Sequence, residues 1–184
     1  MNRLWTPIPN ILSPIECDLL KEEYTDLCLQ DGLITVNGNL AANKNIRRSK
    51  VAWLEKTPGA NAIRTRLDEV VRIENARNFN FDVEGFDNGI QIARYSLNDH
   101  YAWHIDNGAG QLSRRKLTLV VQLSDSEAYE DGNFELMCKS DPVCCPREKG
   151  SGILFPSFLL HRAMHVSKGE RFSLTAWMMG PAFR

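Results

Sequence analysis

The chain has 184 residues, 43% of them hydrophobic, and 22 Lys and Arg against 23 Asp and Glu leave a formal net charge of -1. A domain of this length can bury about 70 per cent of its unfolded surface, so a single core over residues 1–184 needs no disulfide or structural metal. The near-neutral charge gives no footprint for nucleic acid or an anionic membrane, and the basic clusters Arg47, Arg48, Lys50 and Arg114, Arg115, Lys116 read as solvated faces.

Five cysteines, Cys17, Cys28, Cys138, Cys144 and Cys145, are an odd number without CxxC spacing, which argues for reduced thiols. A redox role for the adjacent Cys144 and Cys145 is the minor alternative. The opening MNRLWTPIPN lacks the apolar core of a signal peptide, and no run reaches the length of a membrane span. A soluble, cytoplasmic protein is expected.

Ser13, Pro14 and Glu16 combine an N-cap, a first-turn proline and a third-position glutamate. The helix they open is predicted to run to about Leu29, burying Ile15, Leu19, Leu20 and Leu27, before Asp31 and Gly32 stop it. Residues 33–55 mix Asn and Gly turns with a strand at 50–54 and read as a flap. Thr57 and Pro58 open a second helix, in which Ile63, Leu67, Val70, Val71 and Glu74 recur at helical spacing to about Arg77. Residues 1–78 thus supply helical support and the flap.

From Phe79 onward the hydrophobic period falls from about 3.6 to about 2. Strands are predicted at 79–83, 89–95, 101–106, 117–123, 133–138, 151–155, 161–166 and 171–178. Short strands broken by Gly, Pro, Asn and Asp, with few helices between them, fit a sandwich or jelly roll over 79–184 better than a parallel sheet. If the last two strands form a hairpin with a five-residue loop at 166–170, His165 pairs with Arg171. One face then carries His161, Ala163, His165, Arg171, Ser173, Thr175 and Trp177, as a pocket wall would. Leu160, Met164, Val166, Phe172, Leu174 and Met178 fall on the other, toward the helices.

Chemistry concentrates in YSLNDHYAWHIDN, residues 95–107. His104 and Asp106 are two apart, and an extended strand aims both at one face. His161 follows the run GILFPSFLL, and Arg171 opens RFSLTAWMM ten residues later. Two histidines and a carboxylate make a facial ligand set that leaves about three positions of an octahedral ion open. A zinc hydrolase could use the same ligands; Arg171, a permanent cation suited to clamping a dicarboxylate, points to iron. An HxD pair alone is weak, and the distal His and Arg in order within an all-β half give it weight.

The order Tyr95, Tyr101, His104, Asp106, then RRKLTLVVQLSD, DGNFEL, His161 and Arg171, resembles the prolyl-4-hydroxylase-like family of Fe(II)- and 2-oxoglutarate-dependent dioxygenases. The resemblance covers about residues 88–180 and implies a mainly β fold, a double-stranded β-helix or jelly roll of cupin-like form with N-terminal helices packed on its outer sheet. It implies Fe(II) on His104, Asp106 and His161, 2-oxoglutarate and O2 as cosubstrates, ascorbate as an optional reductant, and hydroxylation of a C–H bond with release of succinate and CO2. Asp106 fills the position a halide would need, which favours hydroxylation over halogenation. Arg171 is implied to hold the C5 carboxylate of 2-oxoglutarate through a forked pair of hydrogen bonds. Tyr95 stands where the family tyrosine donates to that cosubstrate, though it also reads as a core aromatic. Thr118 and Gln122 share one face of their strand, with Gln122 where relatives carry a cosubstrate-binding tyrosine. His165 is second to His161 as a ligand and is expected either behind the ligands, supporting them, or at the pocket wall.

Tyr101 and Asn107 flank the ligand motif as candidate substrate contacts, joined by Trp177 and by a rim of Arg47, Arg48 and Trp53, for which structural salt bridges and packing are the favoured reading. Nucleic-acid demethylases with these ligands carry a second arginine six residues after the first, where this chain has Trp177, so a nucleic-acid base is not expected. A prolyl or other residue in a protein or peptide, a free amino acid and a small metabolite stay open as substrates. A catalytically silent or zinc-binding jelly roll and a protein-interaction module are the rivals from other classes.

Overall fold

The computed structural model describes residues 4–24, 29–36, 39–55, 57–87, 89–138 and 140–183. Ser13 caps the first helix, Pro14–Glu23, with its hydroxyl accepting from the Glu16 N–H while the Glu16 carboxylate accepts from the Ser13 N–H. The helix stops at Tyr24, earlier than predicted, and it buries Cys17, Leu20 and Tyr24, whereas Ile15 and Leu19 face solvent. Burial here follows which side meets the sheet, and the Tyr24 hydroxyl anchors that side by accepting from the Glu55 N–H. Leu27 lies outside the described residues. The second helix, Pro58–Asn78, is capped by Thr57 and buries Leu67 and Val71 with Ile63 and Val70 partly covered, as its spacing predicts.

Among the described residues an eight-stranded major sheet runs in the order Thr6–Ile8, Gly152–Pro156, Arg115–Gln122, Arg171–Met179, Gln91–Tyr95, Lys50–Trp53, Gln30–Asp31, with Gly85–Phe86 added beside Arg171–Met179. A five-stranded minor sheet runs Pro142–Cys144, Phe134–Met137, His161–Ala163, His100–His104, Arg47–Arg48. Leu117, Leu119 and Val121 turn outward to a core shared with both helices, while Val120, Ile153 and Phe155 turn inward to meet Phe134 and Leu136 of the minor sheet. A strand covered on both faces reads as a continuous apolar run, which is what LTLVVQL shows. The architecture is the expected mainly β jelly roll.

Two strand predictions fail. Residues 79–83 form no strand: the Asn75 side chain takes both the N–H and the C=O of Phe81, leaving neither for a ladder. Nor do 161–166 and 171–178 form a hairpin. His161–Ala163 joins the minor sheet, Val166–Gly169 pairs with Tyr129–Asp131, and Arg171–Met179 lies between Arg115–Gln122 and Gln91–Tyr95 in the major sheet. The predicted His165–Arg171 pair is therefore replaced by Tyr95–Arg171, and His165 is exposed. Phe172, Leu174 and Met178 do pack toward the helices, but Val166 belongs to an inner cluster with Tyr95 and Tyr129, and Leu160 is partly exposed.

Candidate active site

His104 ends its strand and is the direct cross-strand partner of His161, so the minor sheet itself brings the two imidazoles together at 4.1 Å between ring centroids. His104 Nδ1 lies 2.8 Å from the Ala102 carbonyl and His161 Nδ1 lies 2.8 Å from the Leu159 carbonyl. A carbonyl can only accept, so each Nδ1 carries the hydrogen and each Nε2 presents its lone pair to the centre. Burial, then the neighbouring His161, pushes the His104 pKa down to about 3 against the pull of Asp106, which keeps its imidazole neutral.

Asp106 lies beyond the strand end, and strand alternation does not aim it. Its orientation comes from Ser157, whose carbonyl accepts from the N–H groups of Asp106 and Asn107 at 2.9 and 3.1 Å. Thr118 Oγ1 then donates to Asp106 Oδ2 at 2.8 Å, and because a hydroxyl has one hydrogen, the 3.0 Å contact to Ser157 Oγ must be a donation from Ser157 to Thr118. Burial opposes a charge on Asp106, yet His161 and His104, then Arg115 and the Thr118 hydroxyl, hold its pKa below the ordinary carboxylate range. Asp106 Oδ1 is 3.7 Å from His104 Nε2 and Oδ2 is 3.4 Å from His161 Nε2, and the three ligand atoms fall within 4.8 Å of one another. Ligands in adjacent positions at about 2.1 Å from an ion would stand about 3 Å apart, so this N2O set fits a divalent transition metal after small adjustment.

Arg171 enters from the major sheet. It is 1% exposed, the largest side chain so completely buried among the described residues. Its Nη2 donates to Gln122 Oε1 at 3.0 Å, its Nε has no partner, and no carboxylate among the described residues pairs with it. The guanidinium carbon sits 5.4 Å from the Tyr95 ring centroid and 5.9 Å from that of Phe134. A buried cation held by one neutral amide is costly unless an anion joins it. The side chains of both sheets converge on a cavity of about 480 Å³ lined by His104, Asp106, His161, Arg171, Tyr95 and Trp177 among others, a size suited to a small ligand. His161 and Arg171 thus meet across the sandwich rather than within one sheet.

The remaining expected residues divide. Tyr101 lines the cavity, stacks on His104 at 3.5 Å, and has its phenol pKa pushed up to about 12 by burial. Arg47 lines it too, but its three nitrogens are taken by Ser49, the Leu33 carbonyl and Gln91. Trp177 and Trp53 form part of the wall, 6.2 Å apart. Thr118 and Gln122 lie behind it: Thr118 serves Asp106, and Gln122 bridges Arg171 to the Pro146 carbonyl. Asn107 is held through its backbone and is not part of the lining, and Arg48 turns away to Asp99. His165 is no pocket wall; its carbonyl accepts from Gly132.

Arg115 is the functional residue that sequence reasoning missed. A bulge between Arg115 and Leu117 breaks the alternation and turns Arg115 inward, where its guanidinium lies 4.0 Å over Trp177 and donates to the Asp106 carbonyl. Its basic cluster is therefore not a solvated face: Arg114 pairs with Glu84, and Lys116 sits over Phe183. The flap prediction gains a shape, since the hairpin of Ile34–Val36 and Asn39–Ala41 contributes Ile34, Thr35 and Leu40 to the cavity rim. Cys17, Cys138, Cys144 and Cys145 are free thiols with pKa values raised chiefly by burial, which argues against a redox pair.

Comparison with known proteins agrees with this geometry. Residues 90–179 match the 2OG-Fe(II) oxygenase superfamily. A PKHD-type hydroxylase of Synechococcus sp. (strain CC9902) is 36% identical over 91 residues, covering 48% of this chain and 40% of that protein. Another, of Prochlorococcus marinus (strain MIT 9301), is 27% identical over 182 residues, covering 93% of this chain and 76% of its own. The Synechococcus match thus spans less than half of that relative. Among solved structures, a Pseudomonas putida prolyl-4-hydroxylase superposes with TM-score 0.77 at 17% identity, covering 97% of this chain and 94% of its own. A Trichoplax adhaerens prolyl hydroxylase in complex with a hypoxia inducible factor peptide gives 0.78 at 21%, covering 96% and 84%. At such identities the superpositions speak for the fold. The sequence match over residues 90–179, just under half of the chain, adds a likeness to the 2OG-Fe(II) oxygenase superfamily across the ligand-bearing strands.

Proposed function

We propose that the protein is a 2-oxoglutarate-dependent hydroxylase acting on a prolyl or other amino-acid residue within a protein or peptide. The observation that carries this reading is Arg171, a buried cation without a carboxylate partner among the described residues, facing the His104, Asp106 and His161 set across one cavity. That pairing suits a ligand with a metal-chelating end and an anionic far end, which 2-oxoglutarate has. The PKHD-type hydroxylase relatives support the same chemistry.

In this reading His104, Asp106 and His161 hold Fe(II) through Nε2, a carboxylate oxygen and Nε2, with the Nδ1–H donations fixing the rings. Arg171 grips the C5 carboxylate, and Gln122 fixes the guanidinium from behind by accepting from Nη2. Tyr95, its cross-strand partner, forms the adjoining wall. Phe134 and Phe155 pack around His161 at ring-centroid distances of 5.6 and 4.9 Å and exclude water there. Bound together, the metal, 2-oxoglutarate and O2 supply the oxidation that inserts one oxygen atom into a C–H bond, with succinate and CO2 as co-products. Arg115, Trp177, Trp53 and Tyr101 orient the substrate on the open side, with the hairpin around Leu40 as its rim.

The test is uncoupled turnover: the anaerobically purified protein, given Fe(II), 2-oxoglutarate and then oxygen, should form succinate without any added substrate. Peptides and amino acids are then screened for the mass gain of one oxygen. Tight zinc binding with no affinity for 2-oxoglutarate would instead favour a silent or hydrolytic jelly roll.

A further inference from the structure

Beside the catalytic cavity lies a second one of about 390 Å³, and its charge is out of keeping with a chain of net charge -1. Lys44, Arg47, Arg48, Lys50 and Arg94 line it, against Asp31 and Asp99 as the only lining carboxylates among the described residues. Lys50 pairs with Asp31 at 2.7 Å and Arg48 with Asp99 at 3.1 Å, which accounts for both lining carboxylates. Glu170, outside the lining, stands 3.7 Å from Arg94. Among the described residues, two cations hold no carboxylate directly. Arg47 is buried and bonded only to neutral acceptors, and Lys44 rides on an exposed turn that the Asn43 carbonyl holds through the N–H groups of Ile46 and Arg47. In addition, Lys50 and Arg94 are direct cross-strand partners, a like-charge juxtaposition that Asp31 and Glu170 offset from either side.

We infer that this second cavity binds an acidic segment of the peptide substrate, a run of Asp or Glu flanking the residue that is hydroxylated. The inference rests on the hydroxylase reading for its occupant. Three features select a carboxylate-bearing chain over a single small anion. The volume far exceeds one phosphate, whose capture calls for donors converging on a point. Here the cations are spread along three strands and a turn, and three of them already stand beside carboxylates that a substrate's own carboxylates can exchange with. Finally, Asp31 and Arg47 line both cavities, so a chain leaving the catalytic cavity past Arg47 enters the second one directly, advancing about 3.3 Å per extended residue. Electrostatic steering of an acidic chain toward a cleft of this sign also follows.

The experiment compares two fluorescein-labelled peptides, each one proline followed by four glutamates or by four glutamines, binding to the full chain by anisotropy. The glutamate peptide should bind about tenfold more tightly at about 0.01 M salt and lose that advantage at about 0.15 M, as the screening length falls from ~30 to ~8 Å. Lys44→Glu, on an exposed turn, and Lys50→Gln should each shrink the advantage while leaving uncoupled succinate formation unchanged. Equal binding of the two peptides, or an advantage that both variants retain, overturns the proposal. So does displacement of the glutamate peptide by inorganic phosphate at submillimolar concentration, which would mark a small-anion site. Loss of succinate formation in the unaltered protein would refute the hydroxylase reading instead, so the two failures are separable.

Discussion

Replacing Thr118 by valine isolates how the structure positions its one acidic metal ligand. The substitution keeps the shape and removes a 2.8 Å hydroxyl donor from Asp106 Oδ2, at a site where Thr118 and Ser157 are both 0% exposed. A hydrogen bond to a buried charged group is worth about 1.5 to 3 kcal/mol, and the Ser157 hydroxyl loses its acceptor at the same stroke. That energy falls on the ionised carboxylate, the form that binds metal, so the metal dissociation constant should rise about 10- to 100-fold. Titration with Co(II), followed by its visible absorption, measures this directly, and thermal melting without metal reports any loss of fold. Thr118→Ser, which restores the hydroxyl, should recover most of the affinity. If Thr118→Val melts lower yet binds Co(II) within about twofold of the parent, the hydroxyl chain is packing only and the reasoning fails.

Other perturbations test separate parts of the site. Arg171→Lys keeps the charge but loses the fork, so the 2-oxoglutarate concentration needed for half-maximal succinate formation should rise at least about tenfold; an unchanged requirement would remove Arg171 from the cosubstrate site. Tyr101, with its pKa raised to about 12 by burial, should release its phenolic proton late in an absorbance titration of phenolate, and Tyr101→Phe should remove that late step. Its folded pKa lies above the unfolded value of about 10, so its contribution to stability is complete below that pH and is lost as pH rises toward 12; a Tyr101→Phe variant should lack that loss, and identical alkaline melting curves would contradict it. Among the described cysteines, Cys144 is exposed and should react first with a thiol reagent, while Cys17 and Cys145 should react only on unfolding; fast labelling of Cys145 in the native protein would show the inner core to be open.

Local chemistry made much of this molecule legible from its sequence. The capping residues Ser13 and Thr57 start helices because a side-chain oxygen near an unpaired N–H needs no distant partner. The near-continuous apolar run in LTLVVQL marks a strand covered on two sides, and the ligand residues His104, Asp106, His161 and Arg171 were identifiable by type and order. How they meet was not. His104 and His161 join through cross-strand pairing, Arg171 arrives from the opposite sheet, and Asp106, past the end of its strand, is aimed by Ser157 and Thr118 from other parts of the chain. Arg115 turns inward only because a bulge shifts its register, and His165 turns outward because the chain changes sheets after Ala163. Side-chain types and short-range periodicity are properties of the chain itself. Register, bulges and the crossing between sheets depend on which strands find one another, and that pairing is settled by burial across the whole sandwich.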